Sequence, residues 1–221
     1  VNLPASLYST AWHGVMLAIT LAALYGIARR APWARLRDGS QVNLLLGFAV
    51  GVMLMWSLKA GVQPGLNLHM LGAMAATLAL GPWLALVALA LALTGVTLNG
   101  AVEWVAWPLN FVLMAVVPVG LAYAIQRAIE RWLPAHFFVF VFLTSFAGAA
   151  LTVILQGTVS SLSLVLAGAY SAGFLLGEYL PFFLLLGFSE AWISGAVITL
   201  MVVYRPDWVA AFDDRRYLIG K

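Results

Sequence analysis

Residues 65–83 read Gly65-Leu66-Asn67-Leu68-His69-Met70-Leu71-Gly72-Ala73-Met74-Ala75-Ala76-Thr77-Leu78-Ala79-Leu80-Gly81-Pro82-Trp83. A polar turn around Pro64-Gly65 gives way to an apolar run rich in alanine. Gly81-Pro82 ends that run, because proline lacks an N–H to donate and its ring clashes with the preceding helical turn. The stretch predicts a short, slim helix over about 68–80, with His69 at its head. An imidazole at the edge of an apolar helix can bind a metal, carry a proton, ligate a haem or simply satisfy a helix end. His69 is one of three histidines in the chain.

The surrounding composition excludes a soluble domain. Hydrophobic residues make up 64% of the 221 positions and charged residues 9%, against about a quarter charged in soluble proteins. Mean hydropathy is +1.01. The chain is long enough for about seven apolar segments of spanning length. It therefore reads as an all-α, polytopic membrane protein forming one integral membrane domain over 1–221. Expected spans are 11–28, 42–58, 68–80, 83–98, 109–126, 136–156 and 180–204. Residues 157–178 stay ambiguous, since Gly157, Ser160, Ser161, Ser163 and Gly168 dilute the apolar run. The first apolar run lacks a small-residue cleavage pattern and reads as a retained helix. Gly47 and Gly51 show the small-residue spacing that lets helices approach closely in lipid. Pro118 predicts a kink.

Charge placement orients the chain. Of the 11 lysines and arginines, all but Lys59 fall on one side of the seven-span arrangement. The positive-inside rule then sets the N-terminus outside and the C-terminus in the cytoplasm of a cell inner or plasma membrane. His13, His69, Glu103 and Glu178 all fall near the outer face, where Glu103 and Glu178 are expected as exposed anions that raise the local cation concentration. His136 is expected as a solvated helix-end residue. The net charge of +3 is spread over short loops and is no nucleic-acid footprint. The absence of cysteine excludes disulfides, thiolate metal sites and iron–sulfur clusters.

Three patches resemble the substrate-binding membrane subunits of cobalt and nickel energy-coupling-factor transporters, the CbiM-like permeases. The first is Gly65 to Gly72 with the Gly81-Pro82-Trp83 turn. The second is Gly187-Phe188-Ser189-Glu190-Ala191-Trp192-Ile193-Ser194 in the last span, and the third is Arg205-Pro206-Asp207 just after it. The resemblance covers almost the whole chain. It implies an N-terminal helix added to a six-helix core that binds a divalent transition metal near the outer face. Carried over, the metal ligands are the Val1 amine, residue two and His69. The family has histidine at position two where this chain has Asn2, which removes an imidazole suited to nickel or cobalt. His13 is the other imidazole expected on that side and a candidate substitute.

Asn67 and Met70 flank His69 and are read as substrate contacts. His69 paired with Met70 would suit copper better than nickel. Glu190, deep in an apolar span, must be neutral, hydrogen-bonded or paired. It reads first as a structural lock between helices and second as a coupling relay.

The chain has no G-x-x-x-x-G-K-[ST] loop, so it cannot hydrolyse ATP. The expected partners are a second transmembrane coupling subunit, cytoplasmic ATPases and the lipid bilayer. The metal, be it nickel, cobalt or copper, is expected as substrate, with no covalent cofactor. Two other readings stand beside this one: a haem-binding or other redox membrane protein using His13 and His69 as axial ligands, and a binding subunit for a non-metal small solute. An intramembrane serine hydrolase is disfavoured, since no G-x-S-x-G occurs and no histidine follows His136.

Overall fold

The computed structural model describes residues 3–61 and 63–218. In chain order the helices are α1 (Thr10–Arg30), α2 (Gly39–Ser57), α3 (Ala73–Leu80), α4 (Pro82–Leu98), α5 (Trp104–Trp132), α6 (Val139–Leu166), α7 (Ala172–Glu178), α8 (Phe182–Tyr204) and α9 (Asp214–Tyr217). Between α2 and α3 lies a small antiparallel hairpin, β1 (Ala60–Gly61) with β2 (Asn67–Leu68), in which Ala60 faces Leu68. Five helices, α1, α2, α5, α6 and α8, are long and apolar enough to cross a membrane. The apolar α4, at 17 residues, is slightly shorter. The architecture is an all-α polytopic membrane fold.

Local chemistry accounts for the helix ends. Asp38 caps α2, accepting from Ser40 N at 2.9 Å and from Ser40 Oγ at 2.8 Å, which holds its carboxyl below the usual carboxylate range. Arg29 and Arg30 close α1, where cations suit the negative helix end. His136 is exposed, and its Nδ1 accepts from Phe138 N at 3.2 Å, so it caps the start of the sixth apolar run as expected.

The third expected span differs most from its sequence reading. It does not begin at Leu68. Asn67–Leu68 form β2, residues 69–71 make no helical turn, Gly72 takes a left-handed turn at φ 67°, and α3 runs for only eight residues. At 1.5 Å per residue it is about 12 Å long, less than half a hydrocarbon core. All eight of its residues are buried.

The two ends of α3 are closed by opposite charges. At its N-terminus the Glu190 carboxylate accepts from Leu71 N and Gly72 N, each at 2.7 Å. At its C-terminus the Arg35 guanidinium donates to Leu80 O at 3.1 Å and Ala79 O at 3.2 Å. Ala210 N and Ala211 N add bonds to Ala79 O and Leu78 O at 3.0 Å. An anion at the positive end and a cation at the negative end match the helix dipole. Together they satisfy backbone groups that lipid cannot.

The structure resolves two further readings. Residues 157–166, ambiguous in sequence, are the end of α6. Their polar side chains bond inward, with Gln156 Nε2 donating to Ser160 Oγ at 2.9 Å and Ser163 Oγ to Ser160 O at 2.7 Å. The helix expected over 109–126 spans Trp104–Trp132. Its residues 112–116 wind with wider i→i+5 bonding just before Pro118. A widened turn of this kind absorbs a proline within a continuous helix, and Gln156 Nε2 donates to the Leu113 carbonyl there at 3.0 Å.

Within the chain, Gly47 and Gly51 bring no other helix close: a Cβ on either would meet no atom within 4 Å. The tight crossing is instead between α6 and α8. Gly157 leaves room for the Phe183 ring, Gly195 for the Phe146 ring and Gly187 for Ile154.

Candidate metal site

His69 lies on a strap, residues 63–72, not at a helix head, because the strap's last N–H groups are held by Glu190 rather than by a helical turn. The ring is buried, with 4% exposure. Its Nδ1 is 3.0 Å from the Met70 carbonyl. A carbonyl only accepts, so Nδ1 is the donor of this bond. The indole of Trp56 packs at 5.8 Å and 52° to the imidazole.

Two tyrosines and one carboxylate tie the strap down. Tyr170 OH donates to Pro64 O at 2.8 Å and Tyr179 OH to Asn67 O at 3.3 Å. Burial raises both phenols above their ordinary range, which keeps them as donors at neutral pH. Glu190 holds the other end and also accepts from Ser194 Oγ at 3.0 Å. It locks α8 to the strap and the start of α3, where the sequence suggested a lock between helices. Asn67 and Met70 are half-buried on either side of His69.

The strap packs on the segment that precedes α1. Gly65, at φ +77°, sits so close to Leu3, Pro4 and Leu7 that a Cβ would come within 3.3 Å of all three. That segment is itself fixed at several points. Asn110 pairs with the Leu3 backbone in both directions: its Oδ1 accepts from Leu3 N at 2.8 Å and its Nδ2 donates to Leu3 O at 2.9 Å. Glu103 Oε2 accepts from Ala5 N at 3.0 Å, and His13 Nε2 donates to Ala5 O at 3.1 Å. Tyr8 OH and Ser163 Oγ are 2.8 Å apart, and burial pushes the Tyr8 phenol up to about 12 despite that bond.

Glu103 is thus not only a loop anion: it anchors this segment. Glu178 is exposed. His13 spends one ring nitrogen on Ala5. Val1 and Asn2 lie outside the described residues. The structure brings His69 and the segment beginning at Leu3 together, joined through Gly65. Among the described residues no group of three or more His, Cys, Asp or Glu side chains gathers to hold a metal.

Sequence reading missed Asn110, Tyr170, Tyr179 and Arg35. Asn110 carried a signal, being a lone amide within the apolar run Leu109 to Val117. The tyrosines and Arg35 carried none, since interfacial tyrosines and loop arginines are ordinary in membrane proteins.

The His69 strap thus packs onto residues 3–7 of a multi-pass helical protein, and comparison with known families defines its class. Residues 2–208 match the CbiM family, described as the cobalt uptake substrate-specific transmembrane region. The chain belongs to this family.

Two solved structures share its fold. One, a truncated transition metal transporter, superposes with a TM-score of 0.75 at 20% identity, covering 92% of this chain and 99% of that one. The other, a transition metal transporter, gives 0.77 at 20% identity, covering 91% and 92%. No curated protein matches the chain by sequence.

Proposed function

We propose that this chain captures a divalent transition-metal cation, nickel or cobalt before copper, at the outer end of a seven-span bundle with its N-terminus outside. His69 supplies one nitrogen ligand through Nε2. The remaining ligands come from the stretch ahead of Leu3, where the family places a histidine and this chain has Asn2. His13 serves the site by positioning, since it holds the Ala5 carbonyl. Asn67 and Met70 shape the strap around the ion. A second transmembrane coupling subunit and cytoplasmic ATPases supply the energy.

The observation that carries this reading is the packing of the His69 strap onto the Asn110-clamped segment. The hydrogen bond of the other ring nitrogen supports it as well. An imidazole whose other nitrogen donates to a backbone carbonyl is the usual form of a metal-ligating histidine. Both structural relatives are transition metal transporters, which agrees with a metal as substrate.

The test is titration of purified protein with nickel or cobalt by calorimetry, with elemental analysis alongside. His69→Ala should lose binding while keeping the parent's thermal unfolding midpoint. Equal metal content in variant and parent would remove His69 from the site. Asn2→His should raise nickel affinity by at least about tenfold, the worth of roughly 1.4 kcal/mol. An unchanged affinity would show that the site does not draw a ligand from position two.

A further inference from the structure

The end of α5 and the C-terminal segment form a pocket of about 380 Å³. Arg127, Glu130 and Arg131 line it from α5, and Arg216 lines it from α9. Three guanidinium groups against one carboxylate leave it with an excess of positive charge. The carboxylate is already engaged by its own chain. Glu130 Oε1 accepts from Gln126 Nε2 and Oε2 from Arg127, each at 2.8 Å. Arg216 stands 3.7 Å from the same Oε2, and the Glu130 side chain is 7% exposed. Among the described residues no carboxylate pairs with Arg131.

Arginines at a helix C-terminus are ordinary, because cations suit the negative helix end and gather in the connections on one side of a membrane. That accounts for Arg127 and Arg131. It does not account for Arg216, which a separate, well-held segment delivers to the same place. Ala210 N and Ala211 N bond to Ala79 O and Leu78 O at 3.0 Å. Phe212 and Tyr217 stack at 5.1 Å and 11°, and both rings pack on Phe140. Asp213 caps α9, its Oδ1 accepting from Arg215 N at 2.8 Å. The Arg216 guanidinium then lies 5.3 Å from the Tyr217 ring. The fold thus converges like charges against their repulsion, and the single carboxylate among them does not balance them.

We propose that this pocket binds a phosphate group, presented by the headgroup of an anionic phospholipid. The donor set selects the ligand. Each guanidinium carries five N–H donors in a planar fork that matches phosphate oxygens in pairs. Arg127 places one of its N–H groups on Glu130, and the forks of Arg131 and Arg216 complete the site. Position selects the source. Trp132, the residue after Arg131, is 81% exposed, and tryptophan marks the level of lipid headgroups. Basic pockets between membrane helices are where anionic headgroups bind. A phosphate held by Arg131 and Arg216 together ties the end of α5 to the segment that covers the α3 carbonyls.

The experiment uses the full chain in a neutral detergent. One arm titrates phosphatidylglycerol and, separately, phosphatidylcholine, and counts bound lipid by native mass spectrometry. A second arm titrates inorganic phosphate by calorimetry. Phosphatidylglycerol should bind the parent in preference to phosphatidylcholine. Arg131→Gln with Arg216→Gln should weaken that binding at least about tenfold, at roughly fivefold for each arginine. Arg29→Gln with Arg215→Gln removes the same charge from residues that do not line the pocket and should change it less than about threefold. Arg131→Gln alone, which breaks no ion pair, should keep the parent's unfolding midpoint and still weaken binding. Binding of inorganic phosphate with the same arginine dependence, but no preference for phosphatidylglycerol, would keep the phosphate site and assign it to a soluble phosphate. Equal losses in the two double variants, or no arginine-dependent binding in either arm, would overturn the proposal.

Discussion

Replacing Glu190 with glutamine tests the clamp on which the strap depends. The carboxylate accepts from Leu71 N on one oxygen and from Gly72 N and Ser194 Oγ on the other. Three donors and no acceptor surround it. Glu190→Gln keeps the length and one oxygen but turns an NH₂ group toward a backbone N–H. One charge-assisted hydrogen bond, worth roughly 1.5–3 kcal/mol, is lost. Opening of the strap should then be favoured roughly 10- to 150-fold.

Hydrogen–deuterium exchange of the protein in nanodiscs reads this directly. Peptides spanning 61–76 should exchange faster by that factor, while peptides from α4 and α5 should not change. Ser194→Ala removes only the 3.0 Å bond to Glu190 and should accelerate the same peptides less than Glu190→Gln does, because that bond holds no N–H of the strap itself. Exchange in Glu190→Gln that overlays the parent's would refute the clamp and leave the carboxylate with another reason for its depth in the membrane.

Arg35→Leu should remove the guanidinium donor from Leu80 O, leave Ala79 O with Ala210 N alone and lose the cation at the negative end of α3. The loss is about 1.5–3 kcal/mol by thermal unfolding in detergent; an unchanged midpoint would refute this role for Arg35. Gly195→Ala presses a methyl into the Phe146 ring and should cost about 1–3 kcal/mol. Gly120→Ala, where a Cβ meets nothing within 4 Å, is the matched control. Tyr8 titrates at about 12 when folded, above its ordinary 10.0. Its contribution is complete below pH 10 and is lost as pH rises through 12. Tyr8→Phe should flatten the fall in stability across that window, and a parent-like slope would show that Tyr8 does not carry it.

Much of the helical framework was legible in the chain. The apolar runs that became α1, α2, α4 and α8 begin and end within about three residues of their sequence readings, a normal margin for helix ends. Hydropathy is a local property, and Asp38, Arg29-Arg30 and Gly81-Pro82 mark ends by local chemistry. His69 could be singled out as an imidazole among apolar residues, and Glu190 as a carboxylate too deep to be unpaired. The serines of 157–166 left that stretch ambiguous because their polarity suggested water. In the fold it is satisfied by Gln156 and by backbone within the bundle.

By itself, the amino-acid order determined that this is a multi-pass helical protein and broke the third apolar run at proline 82. Only the folded chain decided that this run is a half-length helix and that His69 rides on a strap. The physical reason is distance along the sequence. Glu190 reaches its N–H partners across 119 and 118 residues, Asn110 reaches Leu3 across 107, and Arg35 reaches Leu80 across 45. Backbone groups left unpaired within a bilayer must find partners. Which partners they find depends on how the helices pack, and no window along the chain contains that information.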